Sequence, residues 1–158
     1  MKQTLFTLLL SASTLYASGL FSVGHKNFGF SIGQDSAYNN NYTVIGLNAN
    51  YFPVENLSVG FGYQTWLGST PSINQITLPL TYHIPLEMMY TPYIGTFYSH
   101  TFIEDPYQDY DSYGGKIGLT MQTSQSSYIS FGWVHEIYDD GINSESRGYP
   151  EVSAGFSF

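Results

Sequence analysis

The sequence predicts an all-β chain: an eight-stranded antiparallel transmembrane β-barrel that follows a cleaved signal peptide. Three observations lead there. From residue 27 onward, apolar and polar residues alternate along about eight segments, the period of a strand with two unlike faces. Charged residues make up only 10 % of the chain and aromatics 18 %, whereas a soluble domain carries roughly 25–35 % charged residues on its surface. Beyond the leader, no segment approaches the ~18 continuous apolar residues of a membrane helix. A transmembrane barrel combines all three, because its strands alternate lipid-facing and lumen-facing residues.

The 158 residues suit one domain. Residues 1–19 read as an export signal, leaving 20–158 as the barrel domain. Met1-Lys2 supplies the positive start and Leu5 to Leu10 a short apolar run. Ala17-Ser18-Gly19 supplies the small residues of a cleavage site, after Ala17 or after Gly19. No cysteine follows, so neither a lipoprotein anchor nor a disulfide is expected. With Lys2 removed, Lys26, Lys116 and Arg147 stand against twelve acids. So acidic a chain is a poor partner for nucleic acid.

The elements follow in order. Phe28, Phe30 and Ile32 alternate with glycine and serine in the first strand. Ile45, Leu47, Ala49 and Tyr51 mark the second, and Pro53 to Asn56 turns the chain. Leu57, Val59, Phe61 and Tyr63 mark the third; Ile76, Leu78, Leu80 and Tyr82 the fourth. Pro85-Leu86-Glu87 leads into a fifth strand, Met88 to about Ser99. Its register stays open, since Tyr90/Ile94/Tyr98 and Tyr93/Gly95/Phe97 both suit an outer face. Ile117, Leu119 and Met121 mark the sixth strand, and Ile129, Phe131, Trp133 and Ile137 the seventh. Pro150, Val152, Ala154, Phe156 and Phe158 mark the eighth. Each segment is close to the ~9–11 residues that cross a bilayer when tilted.

Alternation alone does not say which face points inward. A soluble barrel such as a periplasmic lipid carrier hides its apolar face and needs a charged exterior. Here the polar faces hold Gly, Ser, Thr, Asn and Gln with hardly a charge, which suits a crowded lumen. Connections also alternate: those at 53–56, 85–87 and 123–127 are short, and those near 35–41, 68–74, 100–112 and 138–148 longer. Short periplasmic turns and long outer loops are the rule for membrane barrels.

The last strand, Glu151 to Phe158, resembles the C-terminal signal of bacterial outer-membrane proteins, with alternating apolar residues and a closing aromatic. Residues 26–158 are similar in length and plan to the small eight-stranded barrels of the OmpA/OmpX type. The resemblance implies residence in the outer membrane with loops at the cell surface. It also implies recognition of Val152, Ala154, Phe156 and Phe158 by the barrel-assembly machinery. Outer-membrane lipids and lipopolysaccharide become the expected surroundings, and the chain a monomer.

Chemistry is sparse. The acids Glu104, Asp105, Asp109 and Asp111, with Asp139 and Asp140 on the next loop, offer weak cation binding at most. The spacing of a calcium loop is missing. His25, His83, His100 and His135 show no metal spacing, and no cofactor is called for. The runner-up reading is a lipid-modifying enzyme of the lipid A deacylase or acyltransferase type. It needs a His and a Ser two apart on one face, but Ile137 stands two beyond His135, and the adjacent Ser99 and His100 face opposite ways. Protease barrels of this location have ten strands and longer chains. A pore is not expected, since eight strands enclose room only for side chains. Tyr98 and Tyr113 suit an interfacial aromatic belt, while Tyr107 and Tyr110 suit belt and recognition surface equally. The expected function is a structural or surface-interaction barrel without catalysis.

Three charges fall on the inner faces: Lys116, Glu136 and Glu151. Pairing Ile129 with Phe158 sets the two glutamates opposite each other. Two facing carboxylates repel, so Lys116 is expected to join them in a buried cluster that locks the lumen near its outer mouth.

Overall fold

The computed structural model describes residues 19–37, 39–86, 90–139 and 144–158. Eight strands follow a 3-10 turn at Gly19–Phe21: β1 Lys26–Ala37, β2 Asn40–Val54, β3 Leu57–Leu67 and β4 Ile73–His83, then β5 Tyr90–Ile103, β6 Tyr110–Gln122, β7 Ser127–Asp139 and β8 Ser144–Ser157. Each pairs antiparallel with its chain neighbours, and β8 returns to β1 to close a barrel. The first 18 residues, and with them most of the leader, lie outside the described residues.

The exterior is the apolar face. Phe30, Leu47, Phe61, Leu78, Ile94, Ile117, Phe131 and Val152, one from each strand, are all exposed. The interior takes the small polar residues, with Asn27, Ser58, Gln75, Ser99, Ser112, Thr120 and Ser130 all buried. Such an inside-out order needs lipid around it, and closure leaves hydrogen-bonding edges only where a ladder is interrupted. The fold is therefore a transmembrane barrel. β5 settles its open register: Tyr90, Ile94 and Tyr98 face out, while Tyr93 is buried in the lumen.

The expected contrast in connection length does not hold. At the end away from the termini the strands run on, so β1 and β2 leave only 38–39 between them and β5 and β6 leave 104–109. Residues read as loop are strand there, because each added residue keeps its backbone bonds in the ladder. Sharp turns fall where φ is positive, at Asn39 (59°) and Asn56 (62°), in the left-handed region that asparagine tolerates.

Two apolar layers pack inside the lumen. At the mouth where the termini lie, Leu20 and Phe21 of the 3-10 turn pack with Phe52 and Tyr128. Phe21 stacks on His83 with ring centroids 4.0 Å apart. The plug is tied to the wall: Asn56 N donates to Phe21 O at 2.9 Å and Ser157 Oγ to Leu20 O at 3.2 Å. Toward the far mouth, Tyr42, Trp66 and Ile73 form the second layer.

Candidate functional site

Among the described residues the most developed polar site is a network in the far half of the lumen, centred on Glu136 of β7. Alternation turns Glu136 inward, and its side chain is wholly buried. Its Oε2 accepts from Arg147 Nε at 2.8 Å, and its Oε1 accepts from Ser112 Oγ at 2.7 Å and Gln75 Nε2 at 3.5 Å. Gln75 Nε2 also reaches Thr101 Oγ1 at 3.2 Å. The Arg147 guanidinium lies among aromatic rings, 5.8 Å from Trp66, 5.8 Å from Tyr138 and 5.4 Å from Tyr149. These are distances at which a cation is drawn to a ring face. Each charge of the buried pair thus keeps partners beyond the pair itself, the condition under which such a pair is tolerated.

The expected cluster of Lys116, Glu136 and Glu151 does not form. β7 and β8 pair Ser127 with Phe156 and Ile129 with Ala154, which sets Glu136 opposite Arg147 and Gly132 opposite Glu151. The two glutamates do not face each other. Phe158 is engaged elsewhere, exchanging both backbone bonds with Lys26 of β1 at 2.9 and 3.0 Å. Arg147 supplies the cation expected of Lys116. Lys116 and Glu151 do face the lumen, but line a cavity below the network. The cavity is about 160 Å³, and Asn48, Gln64, Phe97 and Ser153 are among its other lining residues. Tyr93 reaches across Gly118 and Gly132, where any Cβ would collide with its ring. Lys116 Nζ stands 5.9 Å from the centre of that ring.

Sequence reasoning missed three features. The sequence pattern places Arg147 in the loop 138–148, but β8 begins at Ser144, and the alternation of Glu151 and Tyr149 carried back turns Arg147 inward. The plug Leu20-Phe21 was signalled only by two large apolar residues just after the leader. The third is a Ser–His pair that no local spacing signals: His25 Nδ1 and Ser157 Oγ stand 3.2 Å apart at the terminal mouth. That serine is buried and donates to Leu20 O, and among the described residues no carboxylate orients His25. The pair anchors the plug. His135 faces outward, and Ser99 faces inward, bonded to Thr77 at 2.8 Å.

The loop acids lie apart from the lumen. Asp111, solvent-exposed at the far end of β6, accepts from Tyr98 Oη at 2.6 Å and bonds His100 Nδ1 at 2.7 Å. Those two bonds, the tyrosine's first, hold its carboxyl below the usual carboxylate range. Asp109 Oδ1 accepts from Ile103 N at 2.8 Å, and Asp105 lies in the same connection. Among the described residues no three acids or histidines converge to hold a metal ion. Asp140 and the side chain of Asp139 lie outside the described residues.

No family model and no curated protein matches this chain. Solved structures do. The N-terminal β-barrel domain of OprF from Pseudomonas aeruginosa superposes with a TM-score of 0.66 at 14 % identity, over 87 % of this chain and 98 % of that one. Neisserial surface protein A gives 0.60 at 14 % identity, over 84 % and 94 %. Ail, the attachment invasion locus protein of Yersinia pestis, gives 0.52 at 11 % identity, over 86 % and 99 %. At such identities the likeness is one of fold. By its closed ring of strands, its apolar exterior and these likenesses, the chain has the fold of the small eight-stranded outer-membrane β-barrels.

Proposed function

We propose that this protein is a non-catalytic barrel of the bacterial outer membrane, holding its far loops at the cell surface in a structural or interaction role. The observation that carries this reading is the lumen itself. Apolar side chains pack toward each end, and its most buried charges are consumed in one another rather than aimed at a substrate. The structural neighbours that carry surface or attachment in their names favour the same reading. On this view residues 1–19 are removed on export. Val152, Ala154, Phe156 and Phe158 are read by the assembly machinery, and the barrel acts as a monomer among outer-membrane lipids. The acids Asp105, Asp109, Asp111, Asp139 and Asp140 would then meet anionic lipopolysaccharide only through divalent cations.

The chain has no cysteine, so single cysteines report topology cleanly. In intact cells a membrane-impermeant maleimide should label Asp105→Cys and leave Glu55→Cys, in the turn between β2 and β3, unlabelled until the cells are broken. Labelling of Glu55→Cys alone in intact cells would reverse the orientation and end the surface role.

A further inference from the structure

The wall of the barrel is not uniform. β1 and β8 share a ladder of only four pairs, Asn27–Ser157 to Phe30–Ala154, while β1 pairs with β2 along its full length and β8 with β7 from Ser144 to Phe156. Beyond Phe30 and Ala154 the two strands part. The seam that opens lies between Ser31–Gly33 on one side and residues 150–153 on the other, within the apolar exterior marked by the exposed Ile32 and Val152. Gly33 registers it: a Cβ there meets nothing within 4 Å, whereas one at Gly29 meets Asn48 and the Ala154 carbonyl.

The sequence builds this opening. Phe158 N bonds Lys26 of β1, while Ser157 N bonds Ser126 on the β7 side. Amides alternate sides along a strand, and β8 keeps one register against β7. The amides of Phe156, Ala154 and Val152, and the nitrogen of residue 150, therefore point to β1. Residue 150 is proline, which has no N–H to give. Proline belongs on a strand edge whose donor side is unpaired.

Behind the seam lies the cavity, with Ser31, Lys116, Glu151 and Ser153 in its lining. Apolar clusters lie toward both mouths, and the unpaired seam interrupts the wall beside the cavity. Among the described residues neither Lys116 nor Glu151 has an ion pair, although both stand in a lumen ringed by lipid. An occupant with one positive and one negative group would satisfy both, and a hydrocarbon chain would pass between Ile32 and Val152 into the bilayer. We propose that the β1–β8 seam is a lateral binding site for a single-chain zwitterionic amphiphile drawn from the surrounding leaflet. Its head group lies between Lys116 and Glu151, and its chain stays in the lipid.

The test uses the refolded full-length barrel in dioleoylphosphatidylcholine vesicles, probed by electron paramagnetic resonance with lysophosphatidylcholine spin-labelled on its chain. Both leaflets then hold the probe, so the result does not depend on which end faces the cell surface. An immobilised component of about one probe per barrel is expected. It should fall at least five-fold in Gly33→Trp, which fills the mouth. A similar fall is expected in Lys116→Met/Glu151→Gln, which leaves the mouth open and removes the charges. Heat-modifiable gel mobility confirms that each variant is folded. Spin-labelled lysophosphatidic acid, which lacks the positive group, should bind more weakly than the zwitterion. The proposal is overturned if the immobilised component is absent, or if it is unchanged in the folded charge variant. It is also overturned if Ile32→Cys cross-links barrels in pairs, which would give the seam to a second copy of the chain.

Discussion

At the scale of single residues, the pair Glu136–Arg147 determines whether the far half of the lumen is satisfied or strained. Glu136 is 0 % exposed and accepts three hydrogen bonds. Truncating its arginine leaves a carboxylate buried with only neutral donors, and removing one partner of a buried pair costs about 3–5 kcal/mol. Arg147→Met should therefore destabilise the barrel strongly, while Glu136→Gln/Arg147→Met should recover most of the loss, because no unpaired charge remains. Urea unfolding of the refolded protein in vesicles measures both. Equal losses in the single and double variants would show that the pair is not coupled. The pair was half legible in the sequence. The inward turn of Glu136 follows from alternation, but its partner depends on register, and a hairpin turn chosen a few residues wrongly moves every opposite residue.

At the scale of the element, β8 carries two roles along one strand. Its terminal part closes the ring on β1, and its far part leaves the ring open. The alternation Val152, Ala154, Phe156, Phe158 was legible as a strand with a lipid face because each position repeats the same choice. That Phe158 closes the barrel rather than pairing with β7 was not legible, since nothing local distinguishes the two edges of a strand. Deleting Phe158 removes both backbone bonds to Lys26, each worth about 0.5–1.5 kcal/mol, together with a lipid-facing ring. The four-pair ladder is the shortest in the barrel and has little to spare. The deletion should lower the yield of heat-modifiable protein in the membrane fraction by several-fold. An unchanged yield would mean that closure does not depend on this residue.

For the whole molecule, everything depends on which way the two faces point. The sequence argued it from the near absence of charge on the polar faces. The structure bears it out with apolar side chains exposed around the ring and small polar ones inside. The plug at the terminal mouth escaped that argument because pattern reading begins where alternation begins, and Leu20-Phe21 precede it. The two tryptophans divide cleanly between the faces: Trp133 is 52 % exposed on the outside, and Trp66 is 5 % exposed within the lumen. Single-tryptophan variants, Trp66→Phe and Trp133→Phe, can be refolded into vesicles whose lipid chains carry bromine, a contact quencher of indole fluorescence. Strong quenching of Trp133 and little or none of Trp66 is expected. Quenching of Trp66 without Trp133, or of neither, would contradict it and favour a soluble barrel with its apolar face inside.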